Sequence, residues 1–253
     1  MSDDTGPDDT VSNAARPSSS RRRTGRRIAL IAGIVALGGI GYLLAGAIHR
    51  AREDAHKSHC NLGQFRLAFQ NYVHDYGELP PAIVSDSDGK PLYSWRVLLL
   101  PYLDNEKLYK EFHLDEPWDS EHNLTLIPKM PGSYHIDWKW VVDVPPHHTV
   151  YRVFYGPGTL FEGGISLKDC PDGLDSTLLL VEAGDPIPWS MPEDFKYHPD
   201  RPIHLQGIFH KRTRGITLEG GYKYLPDDLP QSTLHALVTR NGGETIPDGW
   251  SKR

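Results

Sequence analysis

The sequence predicts an α+β fold, in which a long N-terminal helix packs on a mainly antiparallel sheet. One observation is an unbroken run of apolar and small residues at 28–48. Another is a stripe of large apolar residues at spacings of three and four along residues 51–76, which is typical of an amphipathic helix. The third is a series of short strand-like segments after residue 138, separated by Gly and Pro. A helix followed by mainly antiparallel strands is an α+β arrangement.

The chain is expected to contain three parts, at residues 1–27, 28–48 and 49–253. Residues 1–27 begin with Asp, Ser and Pro and end in arginines, so we predict a disordered cytoplasmic arm. The second part begins at Ile28, ends at Ile48 and holds no charge, which predicts a transmembrane helix. The basic cluster before it should stay cytoplasmic and place residues 49–253 in the periplasm or outside the cell. That cluster consists of Arg21, Arg22, Arg23, Arg26 and Arg27.

A cleaved signal peptide is the alternative interpretation of the same run. Ala45 and Ala47 have the small-residue spacing of a cleavage site, and the arginines would form its basic region. The run has 21 residues, however, whereas the apolar region of a signal peptide has about 7–15. We therefore expect an uncleaved single-pass anchor, and cleavage after Ala47 stays open.

The third part is predicted to begin with an amphipathic helix that continues the membrane helix, because no breaker separates the two. Gly77 is the expected stop of this helix, and Pro80 and Pro81 follow it. Its apolar stripe needs a covering sheet or covering helices, and consists of Leu62, Phe65, Phe69, Tyr72, Val73 and Tyr76.

Shorter elements are predicted after this helix. Residues 86–89 (DSDG) are a turn sequence, and an apolar helix at 95–103 is expected to break at Pro101. Asp119 or Ser120 is the expected cap of a further short helix. Strands are predicted at 138–144, 150–155, 177–182, 207–210, 215–218 and 222–225, and a last helix at 232–240.

Charge and cysteine content restrict the class of function. The chain holds 27 basic and 33 acidic residues, a net charge of −6, and residues 1–27 account for +2 of it, which leaves −8 for the rest. Nucleic-acid binding is therefore not expected, since phosphate contacts require a basic face. The two cysteines, Cys60 and Cys170, would pair in an oxidising compartment if they met, or would remain as buried thiols.

The most distinctive polar-aromatic group consists of Glu116, Trp118 and Asp119. As a ligand site, it would stack Trp118 on a sugar face while the two acids bind hydroxyl groups. The alternative is that Trp118 packs in the core and Asp119 caps the following helix, because tryptophan is highly buried on average.

Acidic turns are the candidate metal ligands. Asp169, Asp172 and Asp175 would offer calcium the oxygen ligands that it prefers, and so would the turn at 86–89. Asp and Gly are first of all turn formers, so no metal or other cofactor is expected, with calcium as the alternative. The sequence also lacks the serine-hydrolase elbow, the zinc-protease helix and the phosphate-binding loop, so we predict that the protein is not an enzyme.

Motifs from residue 50 to residue 246 resemble, in order, a bacterial family of domains of unknown function, number 1559. They are CNL at 60–62, LPP at 79–81, GKPL at 89–92, SWRVLLLPYL at 94–103, EPWDS at 116–120, GPGT at 156–159, LVEA at 180–183 and TRNGGE at 239–244. The family is similar to type IV pilins and pseudopilins in its N-terminal helix, and is grouped with solute-binding proteins in name only. The resemblance implies a pilin-like fold and no known activity.

This chain departs from the pilin pattern at the start of its apolar run. It lacks the Gly-Phe-Thr leader and the glutamate that follow the basic residues in pilin-like members. We therefore expect an anchored monomer or small oligomer, with helix pairing through the small residues Ala29, Gly33, Gly41 and Ala45 as one route. The expected function is a structural or interaction module of the cell envelope, with envelope proteins or a second copy as partners. The alternative is an extracytoplasmic module that binds carbohydrate or peptide.

Overall fold

The computed structural model describes residues 19–136, 144–206, 212–244 and 246, without the side chains of residues 19–35, 50–59 and 212. Most of the expected arm at 1–27 and the strand expected at 207–210 lie outside this description, as does all but the last residue of the strand expected at 138–144. The chain divides into two compact units, residues 1–50 and residues 51–253. A single helix, α1, runs over Ser19–Tyr76.

In the first unit, the apolar side chains described on α1 are exposed, with exposures of 54–82% for the large ones. They are Leu37, Ile40, Tyr42, Leu43, Leu44 and Ile48. Within the part of the chain that the structure describes, no helix combines the length and the apolarity that crossing a membrane requires. The side chains of residues 28–35, which begin the expected transmembrane run, lie outside the described side chains.

In the second unit, the expected stripe of α1 enters the larger core. Leu62, Phe65 and Phe69 are completely buried, and Phe65 packs against Tyr151 with ring centroids 4.7 Å apart. The stripe is one residue shorter than predicted, because Tyr76 is 64% exposed. The helix ends as predicted: Gly77 takes a φ of +80° and donates from its amide to the Val73 carbonyl at 2.8 Å.

A hairpin and several short helices follow α1. The hairpin pairs β1 (Ile83–Ser85) with β2 (Pro91–Ser94) across the predicted turn. There, Asp86 Oδ1 accepts from the Lys90 amide at 2.8 Å. Pro101 interrupts the predicted apolar helix, which divides into α2 (Trp95–Leu98) and a 3₁₀ turn at Leu100–Leu103. The remaining helices of this region are α3 (Glu106–Glu111) and α4 (Glu121–Leu124).

The central sheet has four antiparallel strands in the order β3-β5-β7-β8. Their bounds are β3 (His148–Arg152), β5 (Leu178–Pro188), β7 (Arg212–Thr217) and β8 (Gly221–Pro226). Two short strands, β4 (Phe154–Tyr155) and β6 (Phe195–Lys196), pair in parallel, and α5 (Gln231–Val238) is the last helix. The mixed helix-and-sheet composition with mainly antiparallel pairing confirms the α+β prediction.

The second unit has two apolar cores. The larger core joins α1, the hairpin, the short helices and one face of the sheet, and contains Trp95 and Trp189. The smaller core packs α5 on the other residues of β5, together with Phe154 and Tyr197. No disulfide joins Cys60, which is exposed, to Cys170, which is half-buried.

Candidate functional site

The loop at 113–120 carries the three side chains that the sequence singled out, and one buried amide holds its backbone. Asn123 donates from Nδ2 to the carbonyl oxygens of His113 and Pro117, each at 3.0 Å. Its Oδ1 accepts from the His113 amide at 3.1 Å. Ser120 Oγ accepts from the Asn123 amide at 3.1 Å and thereby caps α4. The loop therefore has a defined shape without belonging to a sheet.

Trp118 lies on this loop at the edge of the larger core. Its side chain is half-buried against the core, and its amide donates to the Leu92 carbonyl at 2.7 Å. Trp118 is therefore partly accessible, whereas core packing alone would bury it. Asp119 is exposed and does not cap α4, since Ser120 takes that position.

Glu116 lies two residues before Trp118, and a contact with His113 holds its carboxylate in place. Its Oε1 lies 3.0 Å from Nδ1 of His113, whose ring stacks on His122 at a centroid distance of 3.5 Å. Hydrogen bonds from Ser120 and His113 lower the pKa of Glu116 below its usual value. A carboxylate held in this way is an acceptor for hydroxyl or amide donors of a ligand.

The three aspartates proposed for calcium have separate roles in the described structure. Asp172 accepts from the Gly243 amide at 3.1 Å, and Asp175 Oδ1 accepts from the Ser176 hydroxyl at 3.2 Å. Asp169 contributes its backbone carbonyl, which accepts from Arg240 at 2.7 Å. Among the residues that the structure describes, no three His, Cys, Asp or Glu side chains are grouped to hold a metal ion.

A cleft of about 320 Å³ lies beside β6, at a place that the sequence analysis did not single out. We call it the β6 cleft. Strand pairing sets its wall, because the Phe195 amide donates to Val153 O at 3.0 Å and the Tyr197 amide to Tyr155 O at 2.8 Å. The residues that line it are Phe154, Asp194, Phe195, Lys196, Tyr197, His198, Arg201, Pro202, Ile203 and His204.

Two side chains of α5 hold further lining residues of the β6 cleft in place. Gln231 accepts from the Ile203 amide at 2.7 Å through Oε1 and donates to the Ile203 carbonyl at 3.0 Å through Nε2. The Tyr197 hydroxyl lies 3.0 Å from Nδ1 of His235, also on α5. Burial raises the pKa of Tyr197, and the charges of Glu244 and Asp200 add to this, so the phenol remains neutral at ordinary pH.

Asp194 is the acidic residue in the lining of the cleft, and the buried Arg96 compensates its charge. Its carboxylate pairs with Arg96 at 3.1 Å, and both side chains are completely buried. It also accepts from the Val153 amide at 2.7 Å and from Nε1 of Trp95 at 3.2 Å. Burial raises the pKa of Asp194 and lowers the pKa of Arg96, while the attraction between the two charges opposes both changes.

The described elements define an α+β protein with a loop of fixed shape at 113–120 and a separate cleft beside β6. Residues 49–136 match the sequence model of a family described as a protein of unknown function (DUF1559), so the predicted family is confirmed over those residues. No curated protein and no solved structure shows significant similarity to the chain.

Glu116, Trp118 and Asp119 on the loop at 113–120 stand out in the sequence, whereas the β6 cleft was not predicted from it. The signal that was available is the density of basic side chains at 196–204, where Lys196, His198, Arg201 and His204 fall between prolines and aromatic residues. The cleft also requires the approach of β4 to β6, which depends on residues far apart in the chain. Local periodicity carries no information on such a contact.

Proposed function

We propose that this protein is a single-pass anchored module of the cell envelope, whose extracytoplasmic part serves to bind other envelope components. The exposure of apolar side chains along α1 in the first unit is the observation that carries the proposal. Leu37, Tyr42 and Leu43 are 71%, 82% and 68% exposed. At about 100° per residue they point in three well-separated directions, so covering one face would leave the others in water. A bilayer is the surrounding that covers all of them.

The flanking charges support an orientation for this anchor. Five arginines at 21–27 precede the apolar run, and arginines next to a membrane helix favour the cytoplasmic side. Residues 49–253 would then face the periplasm or the exterior. An interaction role suits this part, since the sequence holds no catalytic motif and the loop at 113–120 presents a fixed, partly apolar surface.

The test is a protease-protection experiment on spheroplasts that express the full chain. The expected result is full-length mass in the membrane fraction and digestion of the region after residue 50 by added protease. Ile40→Arg with Leu43→Arg should release the protein from the membrane, because each arginine at a helix centre costs about 2.5–3.5 kcal/mol to insert. The matched control, Ile40→Ala with Leu43→Ala, should stay in the membrane. A soluble product that begins near Ile48 would contradict the anchor and support cleavage.

A second candidate function is carbohydrate or peptide binding at Trp118, Glu116 and Asp119. The partial exposure of Trp118, on a loop that Asn123 holds in place, favours it. Saturable binding of soluble glycans or peptides, lost in Trp118→Ala and kept in Leu124→Ala, would support this function. Crosslinking to envelope proteins without such binding would favour the interaction role alone.

A further inference from the structure

The β6 cleft combines an apolar wall with basic side chains. Phe154 and Phe195 stack at a centroid distance of 5.2 Å, and Phe154 and Ile203 are both buried. Lys196 and Arg201 are exposed at the edge, together with His204, and His198 is half-buried. A volume of about 320 Å³ is at the lower end of the range in which small-molecule sites fall.

The basic side chains of the cleft are not engaged by other groups in the part of the chain that the structure describes. Within residues 19–136, 144–206, 212–244 and 246, no hydrogen bond or ion pair engages the side chains of Lys196, His198, Arg201 or His204. The acid in the wall, Asp194, is neutralised by Arg96 at 3.1 Å and does not cancel their charge. The cleft therefore presents two permanent positive charges, from Lys196 and Arg201, beside the ring of Phe195. The acids whose charges act on its lining at Tyr197 are Glu244 and Asp200.

The cleft is also built in advance of any ligand. Its lining is held in place by the pairing of β4 with β6 and by the two hydrogen bonds between Gln231 and Ile203. Preformed walls reduce the ordering cost of binding, and small-molecule sites are usually preformed in this way. A surface that only solvates charge does not need such support.

We propose that the β6 cleft binds a small organic acid, with a carboxylate or phosphate group attached to a body about the size of one ring. Lys196 and Arg201 bind the anionic group, Arg201 through the paired N–H groups that match carboxylate and phosphate oxygens. Phe195, against which the buried ring of Phe154 stacks, contacts the apolar body. This site is separate from Trp118 and does not depend on the membrane anchor.

The test is isothermal titration calorimetry on the full chain in lipid nanodiscs, with empty nanodiscs as the blank. Benzoate, glucuronate and phenyl phosphate are the probes, and at least one of them should bind with one-to-one saturation. Lys196→Ala with Arg201→Ala should weaken that binding about 10- to 100-fold, which is the loss expected for hydrogen bonds to a charged group. The matched control, Lys107→Ala with Lys168→Ala, also removes two positive charges, but from exposed positions outside the cleft. It should leave the affinity unchanged.

Neutral and inorganic probes separate the two parts of the proposal. Benzyl alcohol should bind more weakly than benzoate, and inorganic phosphate more weakly than phenyl phosphate. Failure of all three acids to bind up to about 10 mM would overturn the proposal, as would wild-type affinity in the cleft variant. Equal binding of benzyl alcohol and benzoate would remove the role of charge. Equal binding of the two phosphates would remove the role of the aromatic wall. A thermal melt of each variant checks that it is folded.

Discussion

At the scale of single residues, Arg96 and Asp194 form a completely buried ion pair that joins distant parts of the chain. The two residues are separated by 98 positions, and their side chains are 0% exposed. Arg96 also donates from Nε to the Tyr151 carbonyl at 3.1 Å, and the Tyr134 hydroxyl donates to the Arg96 carbonyl at 2.7 Å. The pair is thus the centre of a buried polar network that also includes Ser94, and each charge depends on the other for compensation.

The first prediction concerns the loss of one partner of this pair. Asp194→Ala leaves the buried Arg96 guanidinium uncompensated, so we expect the free energy of unfolding to fall by about 3–5 kcal/mol. Chemical denaturation of the purified chain, followed by circular dichroism, measures the change. Replacing both residues, as Arg96→Met with Asp194→Leu, should recover part of the loss, because no isolated charge remains buried. A loss below about 1 kcal/mol for Asp194→Ala would mean that water reaches the pair.

At the scale of elements, the sequence predicted those features that depend on local pattern. The stripe of α1, its stop at Gly77 and the break of the apolar helix at Pro101 all follow from spacing, backbone conformation or a missing N–H group. The sequence missed the parallel pairing of β4 with β6, whose two-residue strands have no periodicity to read. The β6 cleft was missed for the same reason, since this pairing forms one of its walls.

The second prediction concerns the close approach of β5 and β7. A Cβ at Gly215 would lie 2.9 Å from the Leu180 carbonyl oxygen and 3.1 Å from Cγ1 of Val181. The carbonyl belongs to the backbone and cannot move alone, so Gly215→Ala should cost about 1–3 kcal/mol of unfolding free energy. Thermal and chemical denaturation measure it. Gly132→Ala is the matched control, because its Cβ meets nothing within 4 Å, and it should be neutral.

At the scale of the whole molecule, the burial of tyrosines in the larger core makes the stability of the folded state depend on pH in the alkaline range. Burial is the largest cause that raises the pKa of Tyr72, on α1, and of Tyr93, on β2, from 10.0 to about 12. A raised acid pKa means that the folded state holds the proton more tightly than the unfolded state. This contribution to stability is therefore fully present below pH 10 and is lost as the pH rises towards 12.

The third prediction follows from the direction of this effect. The chain should unfold between pH 10 and pH 12, with phenolate absorbance and loss of circular dichroism appearing together. Tyr72→Phe with Tyr93→Phe removes two of the groups that ionise on unfolding, so the alkaline midpoint should move to higher pH. Ionisation of the tyrosines well before the loss of circular dichroism would contradict the coupling.

The hydrogen bonds between Asn123 and the loop at 113–120 bear on which residues of the loop can be substituted. The hydrogen bonds of this amide go to backbone groups of His113 and Pro117, whatever side chains the loop displays between them. The shape of the loop is therefore independent of the identity of its exposed side chains. The exposed positions 115 and 119 can therefore be substituted on a constant frame, whereas Glu116 is tied to His113 and Ser120 and is less free to vary.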